Sequence, residues 1–333
     1  MTLTPDQIAA IAGELAEADR AHAVIPRITA RYPDATVEDS YAIQGVWRDR
    51  MVAAGRTLVG RKIGLTSKAM QQATGITEPD YGVMFDDTVY RSGDEIDTAH
   101  FSNVRIEVEL AFVLGSPLEG PDCTLDDALA AIDYAVPALE VLNSHIELEG
   151  RTIVDTISDN AAYGAMVLGD VHKRPHEIDL RWVPGVLSRN GEIEETGVAA
   201  GVLGHPATGV AWLANKFAQH GARLEPGEII LAGSFTRPMW DWRRGNIAGC
   251  AIRQFGHDQL IEPLAQGQYC QASSTFDLQI VVPRQGRFAS LQESLRDPIG
   301  SSGEWTRELR NADDDTADVR TMSAAGSCNR LSL

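Results

Sequence analysis

The chain has 333 residues, of which 44% are hydrophobic and 23% charged, a composition typical of a globular protein and not of a disordered one. Its 47 acidic and 29 basic side chains give a formal net charge of −18, which argues against binding to nucleic acid or to an anionic membrane. The four cysteines lack metal-ligating spacing, and we find neither a bilayer-length apolar run nor a signal-peptide pattern, so we expect a cytoplasmic protein without membrane or nucleic-acid partners.

Two helices are predicted in residues 1–57, and we interpret this segment as an N-terminal helical cap. Thr4 is followed by a proline and by Gln7, the pattern of an N-cap with a capping box, and apolar residues then recur at helical spacing. The second helix is expected from Val37 to Ala54, with Thr36 as its N-cap.

The sequence pattern of residues 58–240 predicts a single α+β domain that contains the catalytic site. Two helices are expected, one after Thr124 and one between His205 and Gly221, and Asn190-Gly191 is typical of a hairpin turn. Five further runs predict strands: Leu58–Ile63, Val104–Leu114, Ala165–Leu168, Trp182–Arg189 and Glu228–Ser234. The irregular spacing of the strands favours a mixed or antiparallel sheet that is rolled or sandwiched, and not a βαβ repeat.

Residues 241–333 form an atypical C-terminal tail. Beyond a short strand-like run at Leu278–Val282 they show no sustained periodicity, and residues 312–333 are polar and rich in structure breakers. We therefore expect most of this tail to be poorly ordered and to lie outside the core.

Three glutamates suggest a metal site. Glu107 and Glu109 alternate with apolar residues in a predicted strand, so both project from one face about 7 Å apart. Glu140 lies inside an apolar run, where an unpaired carboxylate would be costly. Three carboxylates without histidine or cysteine suit Mg²⁺ or Mn²⁺. The alternative is a solvated acidic strand and a glutamate at a wet edge.

Other polar residues are candidates for catalysis. Lys62, one of only four lysines, lies in a short glycine-bracketed strand and is either a carboxylate-binding ammonium or a surface lysine. Asp80 lies in a segment that we interpret as a turn, and Ser158 lies in a polar stretch that we interpret as a loop. Ser234 and Thr236 follow a predicted strand and offer two hydroxyls.

At these residues the sequence resembles the fumarylacetoacetate hydrolase superfamily, and within it the hydratase branch that acts on 2-oxo-enoic diacids such as 2-oxo-hept-4-ene-1,7-dioate. The resemblance runs from about Gln7 to Pro238 and rests on several ordered stretches, among them GRKIGLTSKAMQ, EPDYGVMFDD, RIEVELAFVLGSPLEGP, DYAVPALEV, DTISDNAAYG and IILAGSFTRP. After Trp240 the family pattern is lost, which indicates either a shifted reading frame or a genuine extension.

The resemblance implies a β-sandwich roll with an N-terminal helical cap, and assembly into a ring-like homo-oligomer, with a paralogous decarboxylase as a further partner. It implies a Mg²⁺ site, with Mn²⁺ as a substitute, at Glu107, Glu109 and Glu140. It also implies catalytic roles for Lys62, Asp80 and Ser158, and we add three candidate substrate-binding residues: Leu65, Ser234 and Thr236.

The implied reaction is the metal-dependent addition of water to a 2-oxo-enoic diacid in the catabolism of aromatic compounds, converting 2-oxo-hept-4-ene-1,7-dioate to 4-hydroxy-2-oxoheptanedioate. One alternative is the paralogous 2-oxo-3-enedioate decarboxylase, and another is a non-catalytic partner subunit of such a decarboxylase. A third is a C–C bond hydrolase, for which His145 and Glu147 are the available water-activating pair.

Overall fold

The computed structural model describes residues 1–74, 76, 78–189, 192–240, 250–252 and 277–278, all of which belong to one compact unit, Met1–Gln285. These residues have an α+β fold. The helices are α1 (Pro5–Ala21), α2 (Ile28–Arg31), α3 (Val37–Ala53), α4 (Lys68–Thr74), α5 (Leu125–Ala131), α6 (Ile153–Ser158) and α7 (Thr208–Ala218). The strands are β1 (Leu58–Gly64), β2 (Asp80–Phe85), β3 (Val89–Arg91), β4 (Arg105–Leu114), β5 (Ile132–Leu142), β6 (Tyr163–Leu168), β7 (Pro184–Arg189), β8 (Glu192–Val198), β9 (Ile229–Leu231), β10 (Met239–Trp240), β11 (Cys250–Ile252) and β12 (Asp277–Leu278).

Both predicted N-terminal helices are confirmed. The Thr4 hydroxyl accepts from Gln7 N while the Gln7 side chain accepts from Thr4 N, which completes a capping box, and Thr36 caps α3 in the same way. The buried faces of α1 and α3 pack in one apolar cluster with Val83 and Phe85 of β2. Within the part of the chain that the structure describes, no helix is long and apolar enough to cross a membrane.

The larger sheet is mixed, as expected, and has eight strands. Its order is β2-β1-β9-β4-β5-β6-β3, and β10 pairs with β4. The pairs β1–β9 and β3–β6 are parallel, and the other neighbours are antiparallel. The five predicted strands are all present, with ends shifted by a few residues.

Three local interpretations were wrong. Asp80 begins a strand and does not lie in a turn, because the following residues, including buried Val83 and Phe85, pair with β1. The helix expected after Thr124 ends at Ala131, where pairing with β4 and β6 makes the rest of the segment β5. The polar stretch before Ser158 is helix α6, begun by a capping box at Thr152.

A second sheet has the order β12-β11-β7-β8. β7 and β8 pair antiparallel up to Arg189 and Glu192, as the predicted hairpin requires, while the turn residues Asn190 and Gly191 lie outside the described residues. Of the C-terminal tail the structure describes only β11, which pairs with β7, and β12, which overlaps the predicted run at Leu278. The expectation for the rest of the tail falls outside the described residues.

The two faces of the larger sheet have different surroundings. On one face, residues such as Ile63, Phe112 and Ile230 pack with α5 and α7 in the largest apolar cluster. The opposite face carries a smaller apolar cluster that includes Met84 and Ala138. The charged residues discussed next share this second face.

Candidate active site

Strand register brings the three glutamates together. Glu107 of β4 and Glu140 of β5 are direct partners in the antiparallel pair, so their side chains share a face of the sheet. Glu109 lies two residues farther along β4 and therefore projects from the same face. One carboxylate oxygen of each glutamate lies within 4.8 Å of the other two. The pairing of β4 with β5 therefore creates the cluster that the sequence pattern only suggested.

Strand register also places Lys62 and Asp80 on the same face of the sheet as the glutamates. β9 lies between β4 and β1, and its Leu231 is paired with Ala111 on one side and Lys62 on the other. Asp80 lies on β2, opposite Gly64 of β1, which shares the face of Lys62. Five ionisable residues from four strands thus project from one face.

Burial and mutual repulsion disfavour the ionised forms of Glu107 and Glu109. Burial, reinforced by the neighbouring Glu140 carboxylate, raises the pKa of Glu107 to about 7. The same two causes raise the pKa of Glu109 well above its usual range, although Gly233 N donates a 2.8 Å hydrogen bond to this carboxylate. Glu140 is fully buried, and neither of its oxygens has a hydrogen-bond partner among the described residues. A hard divalent cation would satisfy all three groups.

Lys62 is the cation nearest this cluster. Its side chain is buried, and Nζ lies 3.2 Å from Glu140 Oε1 and donates a 2.9 Å hydrogen bond to the Ala161 carbonyl. Burial by itself lowers the pKa of the ammonium, but the carboxylates around it, Glu140 first, act more strongly and raise the pKa above its usual value. Lys62 is therefore charged at neutral pH, and the interpretation as a surface lysine is wrong.

A strained turn positions the carbonyl that Lys62 uses. Asn160, Ala161 and Ala162 all have left-handed φ angles of 49°, 52° and 61°, a conformation that costs roughly 1–2 kcal/mol for each residue with a Cβ. The Asn160 side chain fixes this turn by accepting from Val83 N at 2.7 Å and donating to Val83 O at 2.9 Å. Sequence analysis missed this element, because nothing in the local pattern indicates that asparagine and two alanines adopt it.

Asp80 lies close to the same group. It is 1% exposed, and neither carboxylate oxygen has a hydrogen-bond partner of good geometry among the described residues. Burial raises its pKa, while Lys62 partly opposes the shift. A Cβ at Gly64 would overlap Asp80 Oδ1, so the glycine makes room for the carboxylate. An unpaired carboxyl of raised pKa in this position is suited to proton transfer.

Ser158 is buried at the end of α6, and its Oγ lacks a partner among the described residues. It lines a cavity of about 300 Å³ together with His145, Asp159 and Tyr163. None of the five charged residues described above belongs to the lining of this cavity. Ser158 thus lies beside the strained turn, and its catalytic role stays a prediction.

The three candidate substrate-binding residues lie in the segments that follow β1 and β9. Thr236 Oγ1 accepts from Val108 N at 3.2 Å, and Ser234 Oγ donates to the Thr236 carbonyl at 2.9 Å. These hydroxyls hold the segment after β9 against β4, beside the glutamates. Leu65 is partly buried after β1, with a left-handed φ of 56°. Their binding role stays a prediction.

The pair proposed for a C–C bond hydrolase does not form. His145 Nδ1 lies 2.9 Å from Asp159 Oδ1, and its Nε2 lies 3.4 Å from Asp19. Glu147 is exposed and forms no ion pair among the described residues. The geometry therefore offers no His145–Glu147 dyad to activate water.

Comparisons with known proteins show similarity over most of the described chain. Residues 52–259 match the family model for the fumarylacetoacetate (FAA) hydrolase C-terminal domain, which extends past Pro238, where the resemblance was expected to end. A 2-oxo-hept-4-ene-1,7-dioate hydratase of Escherichia coli is 53% identical over 235 residues, covering 69% of this chain and 88% of the relative. A 2-keto-4-pentenoate hydratase of Paraburkholderia xenovorans is 39% identical over 254 residues, covering 76% of this chain and 94% of the relative.

One solved structure is also similar over most of its length. The 4-oxalocrotonate decarboxylase from Pseudomonas putida G7, complexed with magnesium and adipate, superposes with a TM-score of 0.70 at 35% identity, covering 72% of this chain and 91% of that chain. The same protein has also been solved with calcium and acetate.

Proposed function

Because this chain belongs to the fumarylacetoacetate hydrolase family, we propose that it is a hydro-lyase that uses Mg²⁺ to add water to 2-oxo-hept-4-ene-1,7-dioate, giving 4-hydroxy-2-oxoheptanedioate, in the catabolism of aromatic compounds. The observation that carries the proposal is the cluster of Glu107, Glu109 and Glu140 beside Lys62 and Asp80 on one face of the sheet. The 53% identity to a hydratase of this substrate supports the choice of reaction.

The residues present fit a divalent cation. Three carboxylates converge around the single ammonium of Lys62, which lies 3.2 Å from Glu140 Oε1, so a divalent cation would compensate the remaining negative charge. We assign the metal ligands to Glu107, Glu109 and Glu140, with Mn²⁺ as a substitute for Mg²⁺. The related decarboxylase with bound magnesium supports this assignment. When bound, the metal would polarise the 2-oxo group and so acidify the neighbouring C3 hydrogens.

Lys62 and Asp80 would provide positive charge and proton transfer, respectively. The Lys62 ammonium, held by Glu140 and the Ala161 carbonyl, provides fixed positive charge for the substrate carboxylate or the developing oxyanion. Asp80 would remove a proton from C3 and return one to C5, which moves the double bond from C4–C5 to C3–C4. Water then adds its oxygen to C4 and its proton to C3.

The experiment is a substrate series with the purified protein and Mg²⁺. Hydration of the C7 diacid, followed by loss of ultraviolet absorbance and by mass spectrometry of the product, is the expected result. Release of CO₂ from 2-oxo-3-hexenedioate without hydration would favour the decarboxylase alternative. The similarity to the P. putida decarboxylase is the observation that supports this alternative. Absence of turnover at every metal concentration would favour a non-catalytic partner subunit.

We also propose the organisation that accompanies this function. Residues 1–57 act as a helical cap on a catalytic β-roll of residues 58–240, and the protein works in the cytoplasm as a ring-like homo-oligomer, with a paralogous decarboxylase as a further partner. Light scattering of the purified protein, alone and mixed with the decarboxylase, measures both assemblies.

A further inference from the structure

A second charged cluster lies beside the glutamates and has no role in the proposed chemistry. Arg105 of β4 is 7% exposed, and its Nη2 donates a 2.9 Å hydrogen bond to Ser144 Oγ. Arg151, in the loop before α6, donates to the same Ser144 oxygen from Nη1 at 2.6 Å. The Arg105 guanidinium also lies over the Trp240 ring, 5.3 Å from its centroid. Two guanidinium groups therefore converge on one hydroxyl.

The buried Arg105 guanidinium has an unused hydrogen-bond donor. The Arg105 Nε is buried without a hydrogen-bond partner, and neither guanidinium forms an ion pair with a carboxylate among the described residues. Glu107, Glu140 and Asp159 attract Arg105 from beyond ion-pair distance, so none of these carboxylates satisfies the donor directly. A planar guanidinium with an unused N–H donor is suited to bind a carboxylate through charge-assisted hydrogen bonds.

The position of the cluster matches the length of the proposed substrate. Arg105 precedes Glu107 by two residues on the same strand, so the two side chains leave the same face with their Cα atoms about 7 Å apart. In an extended C7 diacid, six carbon–carbon bonds of about 1.5 Å separate C1 from C7 by about 7.5 Å. A substrate held by its 2-oxo acid end at the glutamates is therefore long enough to span the spacing of Glu107 and Arg105 along β4.

We propose that Arg105 and Arg151, joined by Ser144, bind the distal carboxylate of the substrate and make the enzyme selective for 2-oxo diacids over monoacids. This inference rests on the proposed function, because it takes the glutamate cluster as the site of the 2-oxo acid end. The competing explanation is that the two arginines only balance the charge of the acidic site.

A pair of ligands that cannot be hydrated separates the two explanations. 2-Oxoheptanedioate and 2-oxoheptanoate both lack the double bond, and they differ only in the distal carboxylate. Calorimetric titration of the Mg²⁺-loaded protein should show tighter binding of the diacid by about 10- to 100-fold, the range expected for charge-assisted hydrogen bonds. Equal affinities in the unmodified protein would overturn the proposal.

The variants Arg105→Gln and Arg151→Gln should weaken the diacid by about the same factor and leave the monoacid unchanged. Ser144→Ala, which preserves both charges, is the second variant if either glutamine variant does not fold, and it should reduce the preference to a smaller extent. Arg223→Gln, which removes a surface guanidinium paired with Glu225, is the matched control and should change neither affinity. Equal weakening of both ligands would show that the arginines act only through overall charge.

The hydration assay keeps this inference separate from the proposed function. A preference for 2-oxoheptanedioate in a protein that releases CO₂ from its substrate and adds no water would support the diacid site and overturn the hydratase. Hydration of diacids and monoacids with equal kcat/KM, in the unmodified protein and in both arginine variants, would support the hydratase and overturn the diacid site.

Discussion

Replacing Lys62 by methionine tests whether the buried ion pair with Glu140 organises the site. Lys62→Met retains most of the aliphatic stem and removes the charge that faces four carboxylates. At the 3.2 Å separation of Nζ and Glu140 Oε1, an effective dielectric constant of about 20 gives an attraction of about 5 kcal/mol. Breaking a buried pair of this kind costs roughly 3–5 kcal/mol of unfolding free energy, and we expect that loss in metal-free protein.

The partner substitution should be less damaging. In Glu140→Gln the ammonium still lies among Asp80, Glu107 and Glu109, which also raise its pKa, so we expect a loss of about 1–2 kcal/mol. The double variant leaves neither charge unpaired, and it should be more stable than Lys62→Met by about 2 kcal/mol or more. All three variants should lack turnover.

Urea unfolding in the presence of EDTA, followed by circular dichroism, measures the three stabilities. Lys216→Met is the control, because this lysine pairs with the exposed Glu78 at 3.2 Å, and loss of a surface pair costs less than about 1 kcal/mol. A double variant no more stable than Lys62→Met would refute the reasoning, since the cost of Lys62→Met would then come from lost packing and not from an uncompensated charge. Unchanged kinetics in Lys62→Met would refute its catalytic assignment.

Three further outcomes follow from the same site. Glu107→Gln should fold normally in EDTA at pH 8, because a carboxyl with a pKa raised to about 7 does not stabilise the fold when it is ionised. Its Mg²⁺ affinity, measured by calorimetry, and its turnover should each fall by at least about 100-fold. A normal Mg²⁺ affinity would show that Glu107 is not a metal ligand. Gly64→Ala would place a Cβ where the Asp80 carboxylate lies, so it should lower turnover and reduce the unfolding free energy by about 1–3 kcal/mol, measured by urea unfolding. Gly201→Ala is the control and should change neither quantity, because a Cβ at Gly201 meets open space. In His145, burial lowers the pKa, but the hydrogen bond to Asp159 and the negative charges of Asp159 and Asp19 together raise it more, so the net shift is upward. The stabilisation from the His145–Asp159 pair is complete below about pH 6.5 and is lost as pH rises through the folded-state pKa of His145. The wild type and His145→Gln should therefore have similar unfolding free energies in urea at alkaline pH. A difference that stays constant with pH would show that the charged His145–Asp159 pair does not stabilise the fold.

Local sequence patterns determined those features that depend on neighbours along the chain. The capping residues Thr4 and Thr36 specify where α1 and α3 begin, because a side-chain oxygen satisfies free N–H groups within three residues. The two-residue period of a strand specifies that Glu107 and Glu109 share a face. The apolar run around Glu140 indicated that this carboxylate is buried and needs a cation or hydrogen-bond donors to offset the cost of burial.

Where local and long-range preferences compete, the sequence was a weaker guide. The segment after Thr124 has a helical pattern, yet it becomes strand at Ile132 because β4 and β6 pair with it on both sides. Asp80 has the neighbours of a turn residue, but its segment completes the edge of the larger sheet beside β1. Hydrogen bonds to strands distant in sequence decide these elements, and no local window contains them.

Only the tertiary structure decided how the site is assembled. The direct opposition of Glu107 and Glu140 depends on the register of β4 with β5, and the position of Lys62 depends on β9 lying between β4 and β1. The left-handed turn at Ala161 that receives the Lys62 ammonium persists because the surrounding contacts offset its strain, which single-residue preferences disfavour. The sequence thus determines which chemical groups are available, whereas strand register, a long-range property, determines which of them meet.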